Sequence, residues 1–150
     1  MQGFDRMTAT RAVRWCMGHR LMNYDGRCSS LHGHNWEAQF TFRRTISDAP
    51  LDAQGMVIDF KTVGALLKQW IDQNWDHAML LQSDDAEAIK AVNMLGSLHS
   101  LINHPPTTEN IARHLLILGN HIVHEQFADV EIVRVRVIEN ENNSAEACLP

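Results

Sequence analysis

Residues 31–44 read Leu31-His32-Gly33-His34-Asn35-Trp36-Glu37-Ala38-Gln39-Phe40-Thr41-Phe42-Arg43-Arg44. From Trp36 onward the apolar residues Trp36, Ala38, Phe40 and Phe42 alternate with Glu37, Gln39, Thr41 and Arg43. That period of two predicts a half-buried strand over 36–44. Extended backwards, the same period puts His32 and His34 on the face of Trp36, two residues apart, with Gly33 between them. Two imidazoles aimed at a buried face need hydrogen-bond partners or a cation.

Segment 7–16 reads as a second strand and 23–33 as the Gly- and Ser-containing loop between the two. His19 lies where a hairpin-like return brings it beside the His32/His34 pair. Three histidines without a fourth protein ligand describe an open metal site, as a catalytic zinc requires. The alternative is two loop histidines satisfied by neighbours and one unrelated to them.

Further along, Asp59 occupies the N-cap position of a helix carrying Phe60, Val63, Leu66, Leu67, Trp70 and Ile71 at helical spacing. A short helix is expected over 84–95. Pro105-Pro106-Thr107-Thr108-Glu109 reads as a helix start, with Ile111, Leu115, Leu118 and Ile122 as its apolar face. Val130 to Glu139 reads as a strand, and Ser144 to Leu149 as a last short one. Two strands, two main helices and two strands predict an α+β domain, with the helices on one face of an antiparallel sheet.

The chain has 150 residues, 45% hydrophobic and 21% charged, enough for one core in a single domain spanning 1–150. Thirteen Lys+Arg against 18 Asp+Glu give a net charge of -5. Without a dominant basic footprint, nucleic acid and anionic membranes are not the expected partners. No apolar run reaches membrane-spanning length. The stretch from Met1 to Met7 is polar and lacks the apolar segment of a secretory signal. Three cysteines, Cys16, Cys28 and Cys148, cannot all pair within one chain. Free thiols in a reducing cytoplasm are the expectation.

Nine histidines stand out. His114, His121 and His124 cluster off the apolar face of their helix and read as a solvated or subunit-contacting surface, while His99 and His104 fall in an expected loop. Cys28 lies just before His32, beside Arg27. Its thiol reads as a nucleophile or base of lowered pKa, a fourth metal ligand, or an inert loop residue. Cys16 reads as packing. Asp76-His77 is either an orienting carboxylate–imidazole pair or a polar helix terminus. Glu139 ends the face of Val133, Val135 and Val137, so it is a solvated strand end or a carboxylate awaiting paired N–H donors.

In combination, His19-Arg20-Leu21, Cys28-Ser29-Ser30-Leu31-His32-Gly33-His34-Asn35 and Gly55-Met56-Val57-Ile58-Asp59-Phe60 resemble the 6-pyruvoyl-tetrahydropterin synthase family. Asp76-His77, Pro106-Thr107-Thr108-Glu109-Asn110-Ile111-Ala112 and Val137-Ile138-Glu139 continue the match. The short gap between Cys28 and His32 is similar to the bacterial 6-carboxytetrahydropterin synthases of queuosine biosynthesis. The resemblance implies a tunnelling fold whose subunits join sheets edge to edge, typically as a cytoplasmic homohexamer with sites between subunits. It implies Zn2+ on His19, His32 and His34, Cys28 as general base, Asp76 with His77 as a relay, and Glu139 anchoring the pterin beside the Thr107/Thr108 turn. The implied substrate is 7,8-dihydroneopterin triphosphate. It would lose triphosphate and, in the carboxy-forming branch, acetaldehyde. A pyruvoyl-forming or side-chain-cleaving enzyme, or a metal- and pterin-binding module without turnover, are the alternatives. Arg27, Arg43 and Arg44 are candidate phosphate partners. Leu81 and Asn140 stand where the family commonly has Asn and Thr or Ser, and Trp15-Cys16-Met17-Gly18 where it has Phe and small residues.

Overall fold

The computed structural model describes residues 7–46 and 48–150. The expectation for the polar N-terminal stretch therefore falls on residues 1–6, outside the described residues. In chain order the elements are β1 (Ala9–His19), a 3-10 turn (Arg27–Ser29), β2 (His32–Arg44), α1 (Phe60–Asn74), β3 (Ala78–Gln82) and α2 (Ala86–Leu95). β4 (His99–Ile102), α3 (Thr108–His124), β5 (Val130–Ile138) and β6 (Ser144–Cys148) complete them.

The strands form one six-stranded sheet in the order β4-β3-β1-β2-β5-β6. β1, β2, β5 and β6 pair antiparallel. β3 and β4 extend the sheet on the other side by parallel pairing. These two strands are absent from the sequence reading. β3 is the short run Ala78-Met79-Leu80-Leu81-Gln82 without alternation, and β4 has four residues. The sheet is therefore mixed, and His99 opens a strand instead of lying in a loop.

Both main helices begin as the sequence predicts. Asp59 accepts the Thr62 amide at 2.7 Å, and Thr107 accepts the Asn110 amide at 3.3 Å, each satisfying a donor that the helix itself leaves free. Val63, Leu67 and Ile71 of α1 and Ile111, Leu115 and Val123 of α3 pack with Phe40, Phe42, Ile132 and Val135 in the main core. α3 approaches the sheet closely at Gly119. A Cβ there would lie 2.7 Å from the Ile132 side chain. The buried stripe of α3 is Ile111, Ala112, Leu115, Leu116, Gly119 and Val123, turned slightly from the expected one. Leu118 and Ile122 border α1 instead, with Leu67 and Trp70. His114 continues that row and packs on Trp70 and Trp75, with ring centroids 6.4 and 5.4 Å away. Burial pushes its pKa down, so it is a core-edge residue and not part of a solvated surface.

Candidate functional site

The β1–β2 register decides the site. His19 stands opposite His32, Met17 opposite His34 and Trp15 opposite Trp36. Directly opposed residues of an antiparallel pair share a face, so His19 joins His32 and His34 on the core-side face above Trp36. The three offer one nitrogen each, all within 4.8 Å of one another. Their outer contacts fix which nitrogen that is. His19 Nδ1 lies 2.7 Å from the Pro106 carbonyl, and His32 Nδ1 lies 2.7 Å from the Ser30 carbonyl. A carbonyl only accepts, so Nδ1 carries the proton and Nε2 keeps its lone pair in the neutral rings.

His19 Nε2 and His34 Nε2 are buried without a hydrogen-bond partner. Burial is the main cause that lowers both pKa values, which favours the neutral imidazoles a metal needs. Three converging imidazoles, two with buried, unpaired Nε2 atoms and two oriented by carbonyls, are a donor set that suits an open divalent-metal site. The residues fit such an ion.

Glu139 follows β5 and faces this cluster. Its side chain is 17% exposed, and Oε1 is 3.6 Å from both His19 Nε2 and His34 Nε2. Thr108 Oγ1 donates to Oε1 at 3.4 Å, and the Asn140 and Asn143 amides donate to Oε2 at 3.3 and 3.5 Å. These contacts are long, so the carboxylate retains accepting capacity. Asn140 thus contributes a donor to Glu139. Thr107 caps α3 and so sets the direction of the turn carrying Thr108.

Asp76 and His77 are joined to β1 through its backbone. Asp76 Oδ1 accepts the Cys16 amide at 2.9 Å, and the His77 amide donates to the Cys16 carbonyl at 2.7 Å. Asp76 Oδ2 lies 3.0 Å from His77 Nδ1. The Cys16 N–H, and after it the His77 ring, hold the Asp76 carboxyl below the usual range. His77 has a φ of 59, a conformation uncommon outside glycine. A cleft of about 920 Å³ contains Cys16, His34, Asp76, His77 and Glu139, with Arg14 and Lys68 also on its wall.

Cys28 is exposed on the 3-10 turn and does not join the histidines as a fourth donor. Cys16 differs from the expectation of packing. It is exposed, its thiol donates to Asn35 Oδ1 at 3.2 Å, and it lines the cleft. Strand parity carried the signal, since Cys16 lies between the buried Trp15 and Met17. Arg43 and Arg44, at the far end of β2, are paired with Glu131 and Asp129. Arg27 is exposed beside Cys28. Leu81 is fully buried against Ala88 and Val92.

The sequence profile of the 6-pyruvoyl tetrahydropterin synthase family matches residues 8–148. The chain belongs to this family. A member from Rickettsia typhi named 6-carboxy-5,6,7,8-tetrahydropterin synthase is 35% identical over 136 residues, covering 89% of this chain and 94% of that one. A protein of Halobacterium salinarum named as a probable 6-carboxy-5,6,7,8-tetrahydropterin synthase is 34% identical over 101 residues, covering 66% and 60%. Among solved structures, an uncharacterized protein from Wolinella succinogenes superposes with a TM-score of 0.76 at 21% identity, covering 95% of this chain and 97% of that one. The 6-pyruvoyl tetrahydropterin synthase of Caenorhabditis elegans gives 0.63 at 19% identity over all of both chains. The α+β tunnelling fold is thus shared with these synthases, and this family member is an enzyme, a lyase. Among the described residues no helix is long and apolar enough to cross a membrane.

Proposed function

We propose that this tetrahydropterin synthase family member is a zinc-dependent 6-carboxytetrahydropterin synthase that acts on 7,8-dihydroneopterin triphosphate and releases triphosphate and acetaldehyde. The observation that carries the reading is the set of three converging imidazoles, two with buried, unpaired Nε2 atoms. The names of the relatives support the carboxy-forming product. The same reading takes residues 1–150 as one domain, cytoplasmic, serving queuosine biosynthesis as a homohexamer.

His19, His32 and His34 hold the zinc. Bound there, it acts as a Lewis acid towards substrate oxygens. Glu139 orients the pterin by accepting two ring N–H donors, with Thr107 and Thr108 shaping the turn beside it. Cys28 removes the side-chain proton. Asp76 fixes the His77 ring so that His77 can pass a proton at the mouth of the cleft. Arg14 and Lys68, each beside an acidic partner (Glu37 and Asp72), lie on the cleft wall and are better placed for phosphates than Arg43 and Arg44 at the far end of β2.

Product identification with 7,8-dihydroneopterin triphosphate tests the proposal. Equimolar triphosphate, acetaldehyde and 6-carboxytetrahydropterin are expected. A 6-pyruvoyl product without acetaldehyde assigns the pyruvoyl-forming branch instead, and metal and pterin binding without turnover rejects the whole assignment.

A further inference from the structure

One buried charge lies outside the cleft yet is bonded to Arg20, the residue that follows His19. Asp85 is 1% exposed, and a buried carboxylate persists only when its oxygens are filled. Arg20 fills both. Its Nε donates to Oδ2 and its Nη2 to Oδ1, each at 2.6 Å, in the bidentate geometry that fixes a guanidinium most rigidly. Asp85 Oδ1 also accepts the Ala88 amide at 3.2 Å as the N-cap of α2. These bonds hold the Asp85 carboxyl below its ordinary pKa.

The helix does not need the guanidinium. An amide oxygen caps as well as a carboxylate, and Leu81, Ala88 and Val92 already attach α2 to β3. The position of Arg20 gives the fork its other consequence. Arg20 immediately follows His19, where β1 ends between His32 of β2 and Leu80 of β3. The next residue, Leu21, donates its amide to the Cys28 carbonyl at 2.8 Å and closes the base of the loop. That loop carries Cys28 and also Ser30, whose carbonyl orients His32. Arg20 is therefore the joint between one imidazole and the support of another, clamped to a buried anchor 65 residues away.

We propose that Arg20 is a positioning residue for the metal centre: its two-pronged bond to Asp85 locks the end of β1 and the base of the 21–31 loop, so that His19 and His32 aim Nε2 at one point. This rests on the metal-binding reading of the three histidines. The test is cobalt(II) affinity, measured by chelator competition on the purified apoprotein, with the cobalt absorption spectrum as a second readout.

Asp85→Asn keeps the cap oxygen and removes the charge, and Arg20→Lys keeps the charge and removes the fork. Each is expected to weaken cobalt binding by about 10- to 100-fold, the usual effect of losing a support outside the ligand shell. Arg20→Ala should fall further than Arg20→Lys. Asn120→Ala, a destabilising change in the α3–β5 contact, serves as the control for a merely structural effect and should keep its affinity. Wild-type affinity in Asp85→Asn and Arg20→Lys, alongside loss in His32→Ala, overturns this inference alone. Undiminished binding in His32→Ala overturns the metal reading and this inference with it. Should Asp85→Asn not fold, Arg20→Lys decides the question by the same readouts.

Discussion

Replacing Glu139 by Gln separates two uses of one carboxylate. In the proposed function Glu139 accepts two pterin N–H donors, and its present contacts, at 3.3 to 3.5 Å, are too long to satisfy it. A hydrogen bond to a charged acceptor contributes about 1.5–3 kcal/mol. Gln offers one neutral oxygen and an amide group that meets the donors of Asn140 and Asn143 head on. Losing one acceptor and the charge behind the other costs about 3 kcal/mol. That corresponds to a roughly 150-fold weaker pterin Kd. The metal should be affected less. Glu139 Oε1 lies 3.6 Å from His19 Nε2 and His34 Nε2, close enough to raise their basicity but outside bonding distance. Zinc affinity should therefore drop by no more than about tenfold, roughly 1.4 kcal/mol. Fluorescence titration with a non-reactive dihydropterin, and zinc competition with a chelator, read the two effects separately. Unchanged pterin affinity with collapsed zinc affinity would show Glu139 to be a metal ligand and refute the anchoring argument.

Cys28→Ala should abolish triphosphate release and leave zinc and pterin binding intact; surviving turnover in a phosphate-release assay removes Cys28 as the base. Asn120→Ala should destabilise the fold. Its side chain makes three bonds, to Ile132 N, Ile132 O and Leu116 O at 2.8, 2.9 and 3.0 Å, where the β2–β5 ladder shifts register. At about 1 kcal/mol each, the loss is about 3 kcal/mol, or roughly 6–12 °C in melting temperature. Urea unfolding that shows less than about 1 kcal/mol contradicts this assignment. His114 gives a pH dependence. Burial lowers its folded pKa, so the unfolded chain takes up the proton first and stability declines as pH falls below about 6.5. Chemical denaturation at pH 7 and pH 5 should show a smaller decline in His114→Gln than in the wild type, and equal declines refute a neutral, buried His114.

The parts of the fold that followed local rules were legible in the sequence. Alternation from Trp36 to Phe42 located β2 and its buried face, and polar caps at Asp59 and Thr107 located both main helices. The same parity placed His32 beside His34, because strand geometry is periodic and strict. β3 and β4 were not legible, since their pairing is parallel and joins segments separated by whole helices. The surroundings of His114 are not legible, because a helical wheel shows angles, not neighbours, and Trp70 and Trp75 arrive from α1 and the residues after it. The exposure of Cys16 follows from its parity, which is opposite to that of the buried Trp15 and Met17. The Arg20–Asp85 fork joins residues 65 positions apart and left no periodic trace. The positive φ of His77 leaves no trace in hydrophobic periodicity.

The zinc content of the purified chain, compared with that of His32→Ala, bears most directly on the central claim. Close to one zinc per wild-type chain, absent from the variant, is the predicted result. A variant that retains the wild-type zinc, or a wild type that holds none after reconstitution, contradicts the three-histidine centre.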